Sequence, residues 1–505
     1  MIFYWRLLLI FSISQFILFF SFPKCLAQNI NSKVFCSDFQ VSKNLYLVNK
    51  SIDLNGDKLI IPKGMKIQFG LLGSFQNGVL VGNDTQVIAP PNNVIFKSDI
   101  KLEGTWKADI AHSDWFDFKD DCSLDEKGRY VNGSDNTRQL NNMLLFNKLL
   151  FTKGNYFFKA SNFYVFSNTT IDGQGSVFKW INSSELSPFL VMGNAGKNIF
   201  QESSNILLKN FTVIGSKLES SVKTEQCHGI AIRMGSNIKL VNVHSNLNRG
   251  DGLYIGNIRI ESNKDYSPSN IEVVNCVFDN NHRQGTSITR ANGVRYSKCQ
   301  FINTEGTAPQ SGLDIEPNIV NVSDIDNNFY QCANISIDSC YFSGNRGNGL
   351  LIAAVQPIEN DNYIIRKITL TNCVFDKGNI RAFGVENLLV QHCDIRTDNY
   401  AWLTYRFPVK NVHIDKCRFS CINPNSSIGI KIDVTPNNEL LKNILISNCQ
   451  LVNFNTSGIS IDSKVNSNVS GFSIVHNQFY QCPVPVRIGK EVQGINQMFN
   501  SIEQE

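Results

Sequence analysis

Through the second half of the chain, apolar and polar residues alternate in short bursts. From about residue 205 one phrase recurs: Asn, an apolar residue, a polar one, a second apolar one, then a Cys followed by another apolar residue. It reads SNIEVVNCVFDNN from Ser269, NGVRYSKCQFINT from Asn292, RKITLTNCVFDKG from Arg366 and KNILISNCQLVNF from Lys442. Between these runs lies a shorter phrase: HGIAIRM, DGLYIGN, QGTSITR, SGLDIEP, NGLLIAA, IGIKIDV and SGISIDS. Strict alternation predicts strands with one face inward and one outward. The Gly of the short phrase recurs after 23 residues from Gly229 to Gly252, 27 from Gly285 to Gly312 and 29 from Gly429 to Gly458. One such unit cannot bury its apolar face, but stacked units share one core, so a period in the twenties predicts a solenoid. A right-handed parallel β-helix fits. A leucine-rich repeat does not, because its Leu spacing and helical phrase are missing.

Alignment on the Gly separates the two faces. Gly+1 and Gly+3 are Ile230/Ile232, Leu253/Ile255, Thr286/Ile288, Leu313/Ile315, Leu350/Ile352, Ile430/Ile432 and Ile459/Ile461, which reads as core. Cys276, Cys299, Cys340, Cys373, Cys393, Cys417 and Cys449 share one slot of the long phrase and are expected to stack inside as free thiols. The repeat spans about residues 150–490, leaving 491–505 as a tail. SDNTRQLNNMLLFNKL spaces Leu140, Met143, Leu144 and Leu145 helically, within a connector over 109–149, and predicts a short helix capping the open end of the core. Residues 28–108 contain short strand-like runs such as KLIIP, KIQFG and GVLVGN, and form a small N-terminal β segment.

Composition adds three points. Charged residues make up 18% and the net charge is +4, which gives no nucleic-acid-binding tail. The opening apolar run after Arg6, ending Cys25-Leu26-Ala27, reads as an export signal cut after Ala27. No later run is long and apolar enough to span a bilayer, so a secreted or periplasmic protein is expected.

TTIDGQGSVFKW from Thr169, DGLYIG, NHRQGTSI and GTAPQSGLDIEPN, together with the repeat, resemble the pectate-lyase-like right-handed β-helix superfamily over about residues 150–490. That group includes polysaccharide lyases, polygalacturonase-like hydrolases and uronan epimerases. The resemblance implies an exported protein acting on a polysaccharide, but the fold hosts many chemistries. The polygalacturonase motif set is not matched: only Gly250-Asp251-Gly252 and Cys227-His228-Gly229 are present, in the wrong order.

The outward positions carry the candidate chemistry. Asp314 and Glu316 alternate with Leu313 and Ile315, so they are expected on an exposed sheet face. Stacking at about 4.8 Å per coil places His228, Asp251, Tyr254, His282, Arg283, Gln284 and Arg346 around them. Acids at alternate positions of one strand have Cβ atoms about 6.5–7 Å apart, and carboxyls about 6.5–9.5 Å apart suit inverting glycoside hydrolysis. In this reading Asp314 or Glu316 is the general acid and Asp251 activates water. His228, His282, Arg283, Gln284, Tyr254 and Arg346 hold an acidic or substituted sugar, and no cofactor is needed. A lyase or epimerase would use the same acids to hold Ca²⁺, with Arg283 or His282 near the base. A non-catalytic glycan-binding protein would use Tyr254, Tyr400, Trp402 and Tyr405 as stacking surfaces.

Overall fold

The computed structural model describes residues 40–42, 44–159, 162–181, 190–192, 194–196, 199–220, 225–256, 267–317, 332–354, 364–404, 409–423, 427–434, 441–463 and 467–503. The export signal read at 1–27, and Tyr405, lie outside these residues.

The repeat folds as a right-handed parallel β-helix. Its short phrases form one wall, a 12-stranded parallel sheet running from Phe163–Val165 through Ile230–Ile232, Leu253–Ile255, Thr286–Ile288, Leu313–Ile315 and Leu350–Ala353 to Val486–Ile488. The long phrases form the remaining strands, each paired in parallel with its counterpart one coil away. Register is kept from coil to coil: Leu253 pairs with Thr286, Thr286 with Leu313, and Leu313 with Leu350. All the Gly+1 and Gly+3 residues of the sequence alignment are buried, as alternation requires.

Identical slots stack, so the core is built in columns. Phe278, Phe301, Phe342 and Phe375 form a file with ring centroids 5.5, 4.8 and 4.4 Å apart, within the range of favourable ring stacking. The described cysteines are buried and free. Their thiols donate to backbone carbonyls, as Cys299 Sγ does to Val273 O at 3.3 Å, and so bond where strands turn. The Asn of the long phrase has a separate cause. Asn205, Asn237, Asn270, Asn334, Asn411 and Asn443 have positive φ, a conformation that Asn tolerates better than most residues. Their amides also form an external ladder, with Asn270 Nδ2 donating to Asn237 Oδ1 at 2.6 Å.

Before the repeat, residues 45–107 form further parallel pairs, including Leu45–Val48 with Lys66–Phe69 and Gly78–Ile88 with Ile100–Lys107. Their core is continuous with that of the solenoid. The helix Thr137–Met143 buries Leu140 and Met143 between them. Asn142 ties it to the last N-terminal strand by accepting from Leu102 N and donating to Ile100 O, both at 2.9 Å. The expected tail over 491–505 is not free where it is described: Val492–Met498 and Ser501–Glu503 pair with Ser467–Val475 and Gln478–Tyr480 as a last turn of the stack. No helix among the described residues is long and apolar enough to cross a membrane.

Candidate active site

The wall of short strands brings the candidate residues together because its register aligns them. Outward position Gly+2 is filled coil by coil by Ala231, Tyr254, Ser287, Asp314, Leu351 and Arg381. The residue before each Gly forms a second file: His228, Asp251, Gln284, Ser311 and Asn348, all buried. Gly is required beside this file, since a Cβ on Gly285 would collide with the Gly312 carbonyl.

Asp314 does face away from the core, but it is not exposed: 1% of its surface reaches solvent. Alternation shows which side a residue takes, not what neighbouring coils lay over it. Gln284 Nε2 donates to Asp314 Oδ2 at 3.0 Å, while Gln284 Oε1 accepts from Ser311 N at 2.6 Å. Asp314 Oδ1 is buried and receives no donor from another residue. Glu316, two residues along, is partly buried, and the two carboxyls influence each other electrostatically. Two neighbouring carboxyls withdrawn from water resist ionising together. Burial, then the Glu316 charge, pushes Asp314 well above the usual carboxylate range, and burial raises Glu316 against the lowering effect of Arg283. The pair therefore titrates as a unit.

Asp251 is completely buried. Burial alone would raise its pKa, but the Arg283 charge outweighs that and holds it below its ordinary value. Arg283 Nη1 lies 3.2 Å from Asp251 Oδ2, and its Nε lies 3.9 Å from Glu225 Oε2. Asp251 chiefly raises the Arg283 pKa, so the guanidinium stays charged beside Asp314 and Glu316. His228 is neutral, because burial pushes its pKa down. Its Nδ1 accepts the Asp251 backbone N–H at 3.2 Å, so the 3.3 Å approach to Asp251 Oδ2 is not an ion pair. The His228 ring stacks on Tyr254 at 4.6 Å, and the Arg233 guanidinium lies over the same Tyr254 ring at 4.6 Å.

Two candidates are thereby corrected. Tyr254 is buried, with its hydroxyl 2.8 Å from Thr289 Oγ1, and cannot stack on a sugar. Trp402 points into the core. His282 Nε2 meets Thr307 Oγ1 at 3.1 Å and so holds a turn. Arg346 is exposed, 3.5 Å from Glu305, and lies with Glu316 along a groove of about 690 Å³. This groove continues over Leu351, Phe383, Arg381 and Tyr400, none of which except Tyr400 was anticipated. The signal was available: Leu351 and Ala353 are apolar at positions the alternation assigns to the outside. Glu225 was also missed, and only folding brings it to Arg283. No group of three or more His, Cys, Asp or Glu side chains among the described residues is placed to hold a metal ion.

The molecule is thus a right-handed parallel β-helix that carries the buried Asp314 and the partly buried Glu316 on one outer wall. Solved structures share the fold at low identity. The A-module of the mannuronan C-5 epimerase AlgE4 from Azotobacter vinelandii superposes with a TM-score of 0.52 at 12% identity, over 76% of this chain and 100% of that one. The N-terminal fragment of bacteriophage Phi29 gene product 12 superposes at 0.55 with 12% identity, over 78% and 66%. Among curated proteins, the uncharacterized YclG of Bacillus subtilis is 29% identical over 167 residues, which is 29% of this chain and 28% of that protein. The chain thus spans little more than a quarter of that relative. No protein-family model matches.

Proposed function

We propose that this is a secreted polysaccharide-active enzyme that hydrolyses glycosidic bonds in an acidic or substituted polysaccharide. Asp314 and Glu316 act together as its proton source. The observation that carries the reading is that Glu316 lines a groove while Asp314, two residues before it on the same wall, is sealed from water. Burial lets the pair keep a proton where an ordinary carboxylate would have lost it, as a general acid needs. Glu316, the member reaching the groove, delivers the proton to the leaving oxygen. Asp314 is a positioning residue that shares the proton through it. Arg283, clamped by Asp251, steadies the negative charge left on the pair and attracts an anionic sugar. Asp251 is sealed from solvent, so it does not activate water in this account. Glu225 is 57% exposed, and its charge acts on Glu316. In this account Glu225 takes the proton from the attacking water.

Arg283 beside the acids also favours a second reading. Ionised Glu316 would remove the proton alpha to a uronate carboxylate that Arg283 neutralises, giving elimination or epimerisation. A calcium ion on the ionised pair could share that neutralising role, and chelator sensitivity would reveal it. The named activity of the Azotobacter structure is of this kind. One experiment separates the readings: incubate the protein with acidic and neutral polysaccharides, following reducing ends and ultraviolet absorbance of unsaturated uronates together. New reducing ends without absorbance support hydrolysis. Absorbance overturns it in favour of elimination, and a change of uronate configuration without cleavage indicates epimerisation. No change on any substrate of the panel counts against an enzyme and for a glycan-binding protein.

A further inference from the structure

The groove beyond Glu316 is built from residues that neither the core nor the proton pair explains. Leu351, Ala353 and Phe383 are apolar side chains on the outer wall, and they form a cluster of their own apart from the main core. Leu351 pairs with Asp314 on one side and with Arg381 on the other, and Ala353 pairs with Phe383. The cluster therefore begins one coil after the acids and ends two coils after them, roughly 10 Å away. Leu351 and Phe383 are each only 7% exposed, so they form a recessed floor rather than a projecting patch. Arg381 Nη2 donates to Tyr400 Oη at 2.6 Å, which fixes the guanidinium across that floor. Arg346 stands at the mouth, and its exposed pairing with Glu305 is weak enough to exchange.

An apolar floor with a few fixed polar groups is the usual make-up of a ligand site. The C–H face of a pyranose ring suits such a floor, and two guanidinium groups suit a carboxylate or sulfate. We propose that Leu351, Phe383, Arg381 and Arg346 form a binding subsite for one anionic sugar residue, on the side of Glu316 toward the C-terminal coils. The subsite rests on reading the groove as a polysaccharide site, and it makes the enzyme selective for a chain charged one to two residues from the bond that breaks.

The test measures binding without turnover, by calorimetry on the full chain carrying Glu316→Gln. The probes are oligogalacturonate, its carboxyl-reduced counterpart and a sulfated galactan oligosaccharide. At least one anionic probe is expected to bind ten-fold or more tightly than the neutral one. Preference for the uronate identifies a carboxylate ligand, and preference for the sulfated chain a sulfate ester. Arg381→Gln should cut the preference several-fold, with Arg283 and Arg346 keeping the rest, and Arg381→Lys should cut it less. Phe383→Ser should weaken anionic and neutral probes alike. The subsite is refuted if no anionic probe binds better than the neutral one, or if Arg381→Gln retains the full preference in a folded protein. The two readings fail separately. Turnover by the parent with an unaffected Arg381→Gln preference would leave the enzyme and remove the subsite. Charge-selective binding without turnover of any substrate would do the reverse.

Discussion

Asp314→Asn isolates the shared proton. The amide oxygen can take the place of Oδ2 and keep the 3.0 Å bond from Gln284. The amide nitrogen then takes the place of Oδ1 with hydrogens that it cannot give up. A general acid contributes about 10²–10⁴ in rate, or about 3–5 kcal/mol of barrier at about 1.4 kcal/mol per decade. The variant should lose that much in kcat with KM little changed. Residual activity should follow Glu316 alone, and an N–H donor stabilises its ionised form. The alkaline limb of the pH profile should therefore move to lower pH. Stability moves the other way. The folded pKa of Asp314 is raised, so its contribution is full below the unfolded value of about 3.9 and is lost as pH rises through the folded value. The variant should melt above the parent at neutral pH, and the gap should close toward about pH 4. Activity and thermal melts recorded against pH test both parts. A variant with the parent's rate and alkaline limb would show that the reaction does not use the shared proton. A melting difference independent of pH would show that burial does not hold a proton there.

Other parts of the account are also open to test. Asp251→Asn leaves Arg283 buried without its main partner and should cost about 3–5 kcal/mol in denaturant unfolding. The Asp251 pKa is lowered in the fold, so the parent's advantage should shrink as pH falls through that lowered value. Phe342→Ala removes the middle of the phenylalanine file and should cost about 3–5 kcal/mol, while the folded fraction keeps its specific activity. The buried cysteines should react with a thiol reagent only on unfolding, and the melting temperature should not respond to reductant.

The repeat was legible because a column in space is a periodicity in sequence. Ile230, Leu253, Leu313 and Leu350 could be stacked before any coordinates, since each follows a Gly of the short phrase. The tail was misjudged because Val492–Met498 carries Gln, Gly and Asn where earlier strands carry apolar residues, yet still pairs at the end of the stack. Site membership was legible in part: register alone brings Asp251, Gln284 and Asp314 together. Their environment was not. The burial of Asp314 depends on Gln284 reaching across a coil, which no periodicity encodes. Arg381 escaped notice because NIRAFG replaces the Gly of the short phrase with Asn379, which removed that coil from the alignment. Glu225 precedes its phrase in a turn, where strand periodicity gives no direction.

The most direct test compares the parent with Glu316→Gln for release of reducing ends across the same acidic and neutral polysaccharides, with a melt to confirm that both are folded. The account predicts that the parent cleaves at least one acidic chain and that the variant is slower by about 10²-fold or more at an unchanged melting temperature or above it. A folded Glu316→Gln protein that cleaves at the parent's rate would contradict it.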